Sequence, residues 1–327
     1  MTTTAQAFKF SRTGGPDVLE WVSDQVPPPA EGQVQIRHEA IGVNYIDVYH
    51  RSGIYPLPLP SGIGVEGAGT IEAVGGGVSG FAVGDRVAYA GGTPGAYATI
   101  RNAPAARVVK LPADVSSKAA ASLTFKGLTV EYLIRRCHQV KAGDFVLWHA
   151  AAGGIGLIAC QWLKAMGATV IGTVGSEEKA KLVRANGCDH PIVYTKQSFV
   201  EQVKEITKGE GVAVVYDSVG AQTFGGSLDC LRMTGTLVSF GTSSGPVPPF
   251  DLGVLGTKGS LFVTRPSIAH YTAKRPDLEK GAAAVFEAIE SGTIKAAGVT
   301  EYLLPDAPQA HRDLEARKTS GSLILLP

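Results

Sequence analysis

Between Gly143 and Ser176 the chain reads GDFVLWHAAAGGIGLIACQWLKAMGATVIGTVGS. At its centre is a turn of small residues, Ala150-Ala151-Ala152-Gly153-Gly154-Ile155-Gly156. Backbone approaches a pyrophosphate closely only where side chains are small or absent. A helix opening at such a turn aims N–H groups and a positive dipole end at the anion. On the G-x-G-x-x-G template the three positions fall at Ala151, Gly153 and Gly156, so alanine fills the first. The backbone of Ala152, Gly153, Gly154 and Ile155 is therefore the candidate phosphate cradle. A bare glycine motif is weak evidence, and the flanking pattern has to carry it.

That pattern is present. Asp144 to His149 is an apolar run and predicts a buried parallel strand. A helical pattern follows to Met166, with Gly167 as its stop signal. Thr169 to Val174 predicts the next strand. Strand, turn, helix and strand fit in roughly 30 residues, the size of a βαβ unit.

An NAD site usually places a carboxylate about 20 residues past the glycines, against the ribose 2′-OH. Here the second strand ends in Val174-Gly175-Ser176, with Glu177, Glu178 and Lys179 after it. A 2′-phosphate calls for a hydroxyl donor and a cation. Ser176 and Lys179 supply both, and Tyr194 at the end of the next strand adds an O–H. Ser176 also reads as a helix N-cap with Glu177 and Glu178 favoured by the dipole, and the two readings are compatible. The chemistry favours NADPH over NADH.

The rest of the chain supplies the framework. With 327 residues, 44% hydrophobic and 18% charged, it suits two domains. A net charge of +1 without long runs of one sign argues against a general nucleic-acid or anionic-membrane binder. No apolar stretch reaches the roughly 18 residues of a membrane span. The N-terminus lacks the apolar core of a signal peptide. Cys137, Cys160, Cys188 and Cys230 are scattered and read as buried thiols of a cytoplasmic protein. Residues 5–110 are rich in glycine, proline and β-branched types and read as a β-rich domain. Val34-Gln35-Ile36-Arg37 alternates like a half-exposed strand, and Gly69–Val74 and Arg86–Tyr89 read as strands. A helical pattern starts near Ala119. Ile192–Tyr194, Ala213–Asp217, Leu237–Phe240 and Leu261–Val263 then alternate with helices such as Phe199–Ile206, which implies a doubly wound parallel α/β sheet. A long helix at Asp277–Ser291 and a strand at Leu323–Leu326 complete the chain. The expected topology is a dinucleotide-binding domain, 125–265, inserted into a domain made of 1–124 and 266–327.

Several stretches together resemble a family. Gly64-Val65-Glu66-Gly67-Ala68-Gly69, Gly84-Asp85-Arg86-Val87, Lys126-Gly127-Leu128-Thr129, Gly143–Gly156, Tyr216-Asp217-Ser218-Val219-Gly220 and Val263-Thr264-Arg265-Pro266 make the chain similar to zinc-independent quinone oxidoreductases of the medium-chain dehydrogenase/reductase superfamily, the zeta-crystallin group. The resemblance implies a GroES-like catalytic domain with a Rossmann domain, and a homodimer paired near Leu261-Phe262-Val263. Zinc alcohol dehydrogenases of the superfamily carry Cys where this chain has Asn44 and His where it has Val65, and a structural lobe of four cysteines that is missing between Tyr89 and Arg107. No pair among the seven histidines has metal-site spacing. A zinc site is therefore not expected, and Glu66 is assigned to buried backbone or cationic partners.

Without a Lewis acid, alcohol oxidation is poorly served. Quinones and conjugated carbonyls delocalise the incoming charge and need positioning with modest hydrogen bonding. The resemblance places Asn44, Tyr49 and Tyr55 beside the nicotinamide and substrate, with ordinary half-buried aromatics as the alternative for the tyrosines. It puts Thr129, near a helix start, on the nicotinamide carboxamide. Lys126 either meets a phosphate, closes the cleft, or is a solvated surface lysine. Phe240-Gly241-Thr242-Ser243-Ser244 follows a strand whose C-terminal end faces the ligand side of an open sheet, so Phe240, Gly241, Ser243, Ser244 and, in the preceding strand–loop, Ser218 are candidate cofactor contacts. The resemblance adds Phe262, Thr264 and Arg317. The expected activity is NADPH-dependent quinone reduction. The alternatives are reduction of α,β-unsaturated aldehydes or ketones, and a non-catalytic NADPH-binding, RNA-binding or crystallin-type role.

Overall fold

The structure is a computed structural model and describes residues 2–327. Contacts divide the chain into two compact units. One holds the residues up to Leu128 with Tyr271–Ser291 and Gly298–Pro327; the other holds Thr129–His270 with Gly292–Ala297.

The first unit begins with strands β1 (Thr3–Phe10), β2 (Glu20–Val26) and β3 (Gln33–Val43), then helix α1 (Tyr45–Ser52). Strands β4 (Ser61–Gly62), β5 (Glu66–Val74), β6 (Arg86–Ala90), β7 (Ile100–Pro104) and β8 (Val108–Lys110) follow, and then helix α2 (Ser117–Tyr132). The strand β3 runs well beyond the four residues expected of it. Its first half pairs with β5 on one side and β7 on the other. Val34, Gln35 and Ile36 are consequently all buried, and the half-exposed alternation predicted for Val34–Arg37 does not occur. Gln35 is tolerated there because its Nε2 donates to Asn102 Oδ1 at 3.1 Å and to Pro27 O at 3.3 Å. Phe10, Ile36, Ile41, Ile63, Ile71 and Tyr97 lie in one apolar cluster at the centre of this unit.

The second unit carries β9 (Phe145–Trp148), α3 (Gly154–Ala165), β10 (Thr169–Val174), α4 (Glu177–Ala185), β11 (His190–Val193), α5 (Phe199–Ile206), β12 (Val212–Asp217), α6 (Phe224–Asp229), β13 (Leu231–Ser239), α7 (Gly253–Thr257) and β14 (Phe262–Thr264). Its six strands are all parallel, in the order β11-β10-β9-β12-β13-β14. Counted within the sheet, this is 3-2-1-4-5-6, the Rossmann order. The α/β doubly wound fold expected from the sequence is present. Apolar strands buried on both faces explain why β12, VAVVYD, has no exposed residue.

Helix α8 (Ile268–Tyr271) and α9 (Arg275–Glu290) follow, and β15 (Thr300–Leu303), α10 (Ala307–Glu315) and β16 (Leu323–Leu326) complete the first unit. There β15 and β16 join the sheet ordered β15-β16-β3-β5-β6-β8, with β7 also paired to β3. All four cysteines are free thiols; Cys160, Cys188 and Cys230 are buried, whereas Cys137 is only half-buried, against the expectation for all four. Among the described residues no helix is long and apolar enough to cross a membrane.

Candidate functional site

The glycine turn leaves β9 through Ala150, a non-glycine residue with φ of 54°. Gly153 is the N-cap of α3, and no side chain caps that helix. Gly153 is exposed and Gly154 and Ile155 half-buried, so the first-turn N–H groups sit at an open surface suited to an anion. Gly156 has a packing role: a Cβ there would lie 2.4 Å from Ala151 O. The alanine at the first template position is accommodated across the sheet. A Cβ on Gly172, inside β10, would stand 2.8 Å from Ala151 Cβ and 2.8 Å from Cys188 Sγ. The methyl group absent from Gly172 is present on Ala151. A glycine inside a strand is the sequence signal that marks such a close approach. Gly172→Ala is expected to lose about 1–3 kcal/mol by overpacking. Adding Ala151→Gly should return part of it, as urea titrations of the two variants would read; no recovery would show that Cys188 alone sets the limit.

At the end of β10, Ser176 caps α4 by accepting the Lys179 N–H at 3.3 Å, so the N-cap reading holds. Glu177 turns to Lys196, 2.7 Å away, on an exposed face. Glu178 has its pKa lowered by hydrogen bonds from its own backbone and from Ser176. The Tyr194 hydroxyl lies 3.0 Å from where a Gly175 Cβ would be, so the phenol reaches over the strand end only because residue 175 is glycine. The Tyr194 hydroxyl thus overlies Gly175, the residue before Ser176, with Lys179 one helical turn along.

At the ends of β12 and β13 two loops bond to each other. Ser243 N–H donates to Ser218 O at 3.2 Å, and a Cβ on Gly241 would lie 2.6 Å from that same oxygen. The Ser244 hydroxyl donates to Val219 O at 2.8 Å and accepts the Gln222 N–H at 3.1 Å, which commits it to the loop. Phe240 packs on Trp148, 5.6 Å between ring centroids. Arg265 Nη1 donates to Ser239 O at 2.9 Å and Gly241 O at 3.1 Å, a brace that the sequence analysis missed. Phe262 and Thr264 lie on β14, one of the two edge strands of this sheet.

In the first unit Asn44 precedes α1 and its amide Nδ2 donates to Glu66 Oε2 at 2.8 Å. Glu66 Oε1 accepts the Phe125 N–H at 2.7 Å, and Lys126 Nζ lies 3.4 Å from Oε2. Burial raises the Glu66 pKa, while the Lys126 ammonium, Asn44 and the Phe125 amide favour its ionised form. Lys126 is 5% exposed, so the surface-lysine alternative does not apply. Thr129 corrects an expectation: it lies in the last turn of α2 rather than near a helix start. Gly127 does not open the helix. It makes room for Val285, whose Cγ1 would be 2.8 Å from a Cβ at 127. Tyr49 is buried, Tyr55 half-buried, and their rings meet edge to face at 5.0 Å. Arg317 is exposed and follows α10 with φ of 58°.

Asn44 is also held from below. Its N–H donates to Asp47 Oδ2 at 2.9 Å, and Tyr97 Oη donates to the same oxygen at 3.0 Å. His311 Nε2 is 3.0 Å from Tyr97 Oη, and His311 Nδ1 is 3.0 Å from Arg51 Nη1. Arg51 ends on Glu315 at 2.8 Å. Burial pushes Asp47 up to about 7, and burial with the nearby Arg51 charge holds His311 down at about 3. These partners are far apart in sequence, and only the fold brings them together.

The donor set does not suit zinc. Asn44 points N–H at Glu66, Val65 is apolar and buried, and among the described residues no group of three His, Cys, Asp or Glu could hold a metal ion. The GroES-like and Rossmann architectures are matched in turn by known families. Residues 30–113 match the alcohol dehydrogenase GroES-like domain, and residues 154–287 the zinc-binding dehydrogenase family. The chain is 49% identical to a quinone oxidoreductase of Salmonella typhimurium over 99% of its own length and all of the relative. It is 44% identical to a 2-haloacrylate reductase of a Burkholderia species over 98% of each. The crystal structure of Escherichia coli quinone oxidoreductase complexed with NADPH superposes with a TM-score of 0.96 at 48% identity, covering 98% of this chain and all of that one. With near-complete coverage at such identity, a GroES-like unit and a Rossmann sheet, the chain belongs to the quinone oxidoreductase family of the medium-chain dehydrogenase/reductases.

Proposed function

We propose that this protein reduces quinones with NADPH and without a metal. The observation that carries the proposal is the full-length identity to quinone oxidoreductases, one of them solved with NADPH, around a glycine turn with an uncapped helix. Bound NADPH supplies the hydride. The chain's own task is to bind, orient and select. Dinucleotide binding falls to the unit Thr129–His270, with the backbone of Ala152, Gly153, Gly154 and Ile155 on the pyrophosphate. Ser176, Lys179 and Tyr194 take the 2′-phosphate, and Ser218, Phe240, Gly241, Ser243, Phe262 and Thr264 the rest of the nucleotide. For Ser244 the role is to hold the loop, since its hydroxyl and its N–H both donate to Val219 O. Asn44, Lys126, Thr129 and Arg317 complete the cofactor set. Asn44, Tyr49 and Tyr55 serve the acceptor: a flat ring stacks on tyrosine faces, and the Asn44 carboxamide, held by Glu66, offers a fixed hydrogen bond to its oxygen.

A second reading, reduction of conjugated carbonyls, is favoured by the 2-haloacrylate reductase among the relatives. NADPH oxidation with benzoquinone, an unsaturated ketone and 2-chloroacrylate separates the two. Turnover of benzoquinone supports the proposal, and turnover of the other two alone overturns it. We assign the protein to the cytoplasm, where four unlinked cysteines persist. We also assign it a homodimer through β14, a sheet-edge strand whose Phe262 is 62% exposed.

A further inference from the structure

The parallel sheet reverses its strand order between β9 and β12, and open sheets bind ligands beyond the strand ends at such a reversal. Beneath that point runs a line of buried polar side chains. His149 follows β9, Thr173 lies on β10, Ser227 on α6, and Asp217 ends β12; all four are buried. His149 Nδ1 is 3.0 Å from Thr173 Oγ1, and His149 Nε2 is 3.0 Å from Ser227 Oγ. Ser227 has one proton and gives it to Asp217 Oδ2 at 3.2 Å. Ser227 Oγ must therefore accept from His149 Nε2–H. Burial lowers the His149 pKa against the pull of the nearby Asp217 charge; in the neutral ring, with the proton on Nε2, Nδ1 is bare and takes the Thr173 hydroxyl proton. Thr173 Oγ1 in turn accepts the Ala150 N–H at 3.4 Å.

The hydrogen bonds thus all point one way, from Ala150 to Asp217. Each end of the line shapes a loop. Ala150 is the left-handed residue that opens the glycine turn. Asp217 Oδ1 accepts the N–H groups of Val219 at 2.7 Å and Gly220 at 3.1 Å, and Thr223 Oγ1 donates to Oδ2 at 2.7 Å. An imidazole suits the middle position because its two nitrogens face opposite ways, one accepting and one donating.

We propose that His149 is a positioning residue for the dinucleotide, tying the glycine turn to the Asp217 loop and so setting the affinity for NADPH. This rests on the NADPH reading above and deepens it. The test is NADPH titration, with thermal melts, of the wild type, Thr173→Val, Ser227→Ala and the double variant. Each single substitution should weaken NADPH about tenfold, the worth of one buried hydrogen bond. The double variant should be no weaker than the weaker single, because both act through one ring. Multiplication of the two effects, or NADPH affinity within about twofold of wild type in folded singles, overturns the role of His149. If Ser227→Ala fails to fold, His149→Asn and His149→Gln carry the test. Asn keeps a group at the Nδ1 place and Gln one at the Nε2 place. Each should raise KM for NADPH rather than lower kcat, and less than His149→Ala does; no such ranking overturns the proposal. A wild type that does not bind NADPH at all sinks the cofactor reading itself, which is a separate result.

Discussion

Lys179→Ala is expected to weaken NADPH binding by about 10- to 100-fold and to leave NADH binding within about twofold, on the worth of a hydrogen bond to a charged group. The 2′-phosphate is the only difference between the two ligands, so the ratio isolates the cation. Lys179 stands one turn into α4, behind a cap made by Ser176, and the dipole at that helix start favours the same anion. Of the two neighbouring carboxylates that would repel a phosphate, Glu177 pairs with Lys196, and Glu178, now on the Ser176 hydroxyl, gives up that place to the phosphate. Fluorescence titration with both nucleotides reads the effect. Equal loss for both would place the phosphate elsewhere.

The second large effect concerns Glu66. Replacing it with leucine removes the acceptor of three donors at once: the Asn44 amide, the Phe125 N–H and the Lys126 ammonium. Breaking a buried pair from one side strands the other charge, a loss of about 3–5 kcal/mol. Urea unfolding of Glu66→Leu should show a deficit of that size. Adding Lys126→Met should restore the share owed to the stranded ammonium and leave the share owed to Phe125 and Asn44. A loss below about 1 kcal/mol in the single variant would mean that water replaces the carboxylate, and that the pair does not anchor Asn44.

Much of the fold was legible because its signals are local. Thr169–Val174, Phe199–Ile206 and Leu323–Leu326 were read to the residue, each a run of one periodicity between turn residues. The parallel sheet followed from strands alternating with helices. The misreadings share a different cause. Val34–Arg37 alternates in sequence, yet strands on both sides bury Gln35, and a sequence does not say how many neighbours a strand will have. A glycine inside a helical pattern, as at Lys126-Gly127, reads as a helix start near Thr129, and the structure has none there. The reason Gly127 sits mid-helix is Val285, more than 150 positions away. The same holds for the site. Glycines, Ser176 and Asn44 announce themselves by type and spacing. The lines through His149 and through His311 join residues that meet only after folding, and no local pattern points to them.

The exchange between Ala151 and Gly172 bears on how such fingerprints are searched. Scored as a string, this chain is one glycine short. Scored as space enclosed by two adjacent strands and the thiol of Cys188, nothing is missing, because one methyl group occupies a volume with room for one. A pattern that let these two positions trade side-chain bulk would recover dinucleotide folds that a fixed template passes over, and it would reject chains in which both carry a methyl.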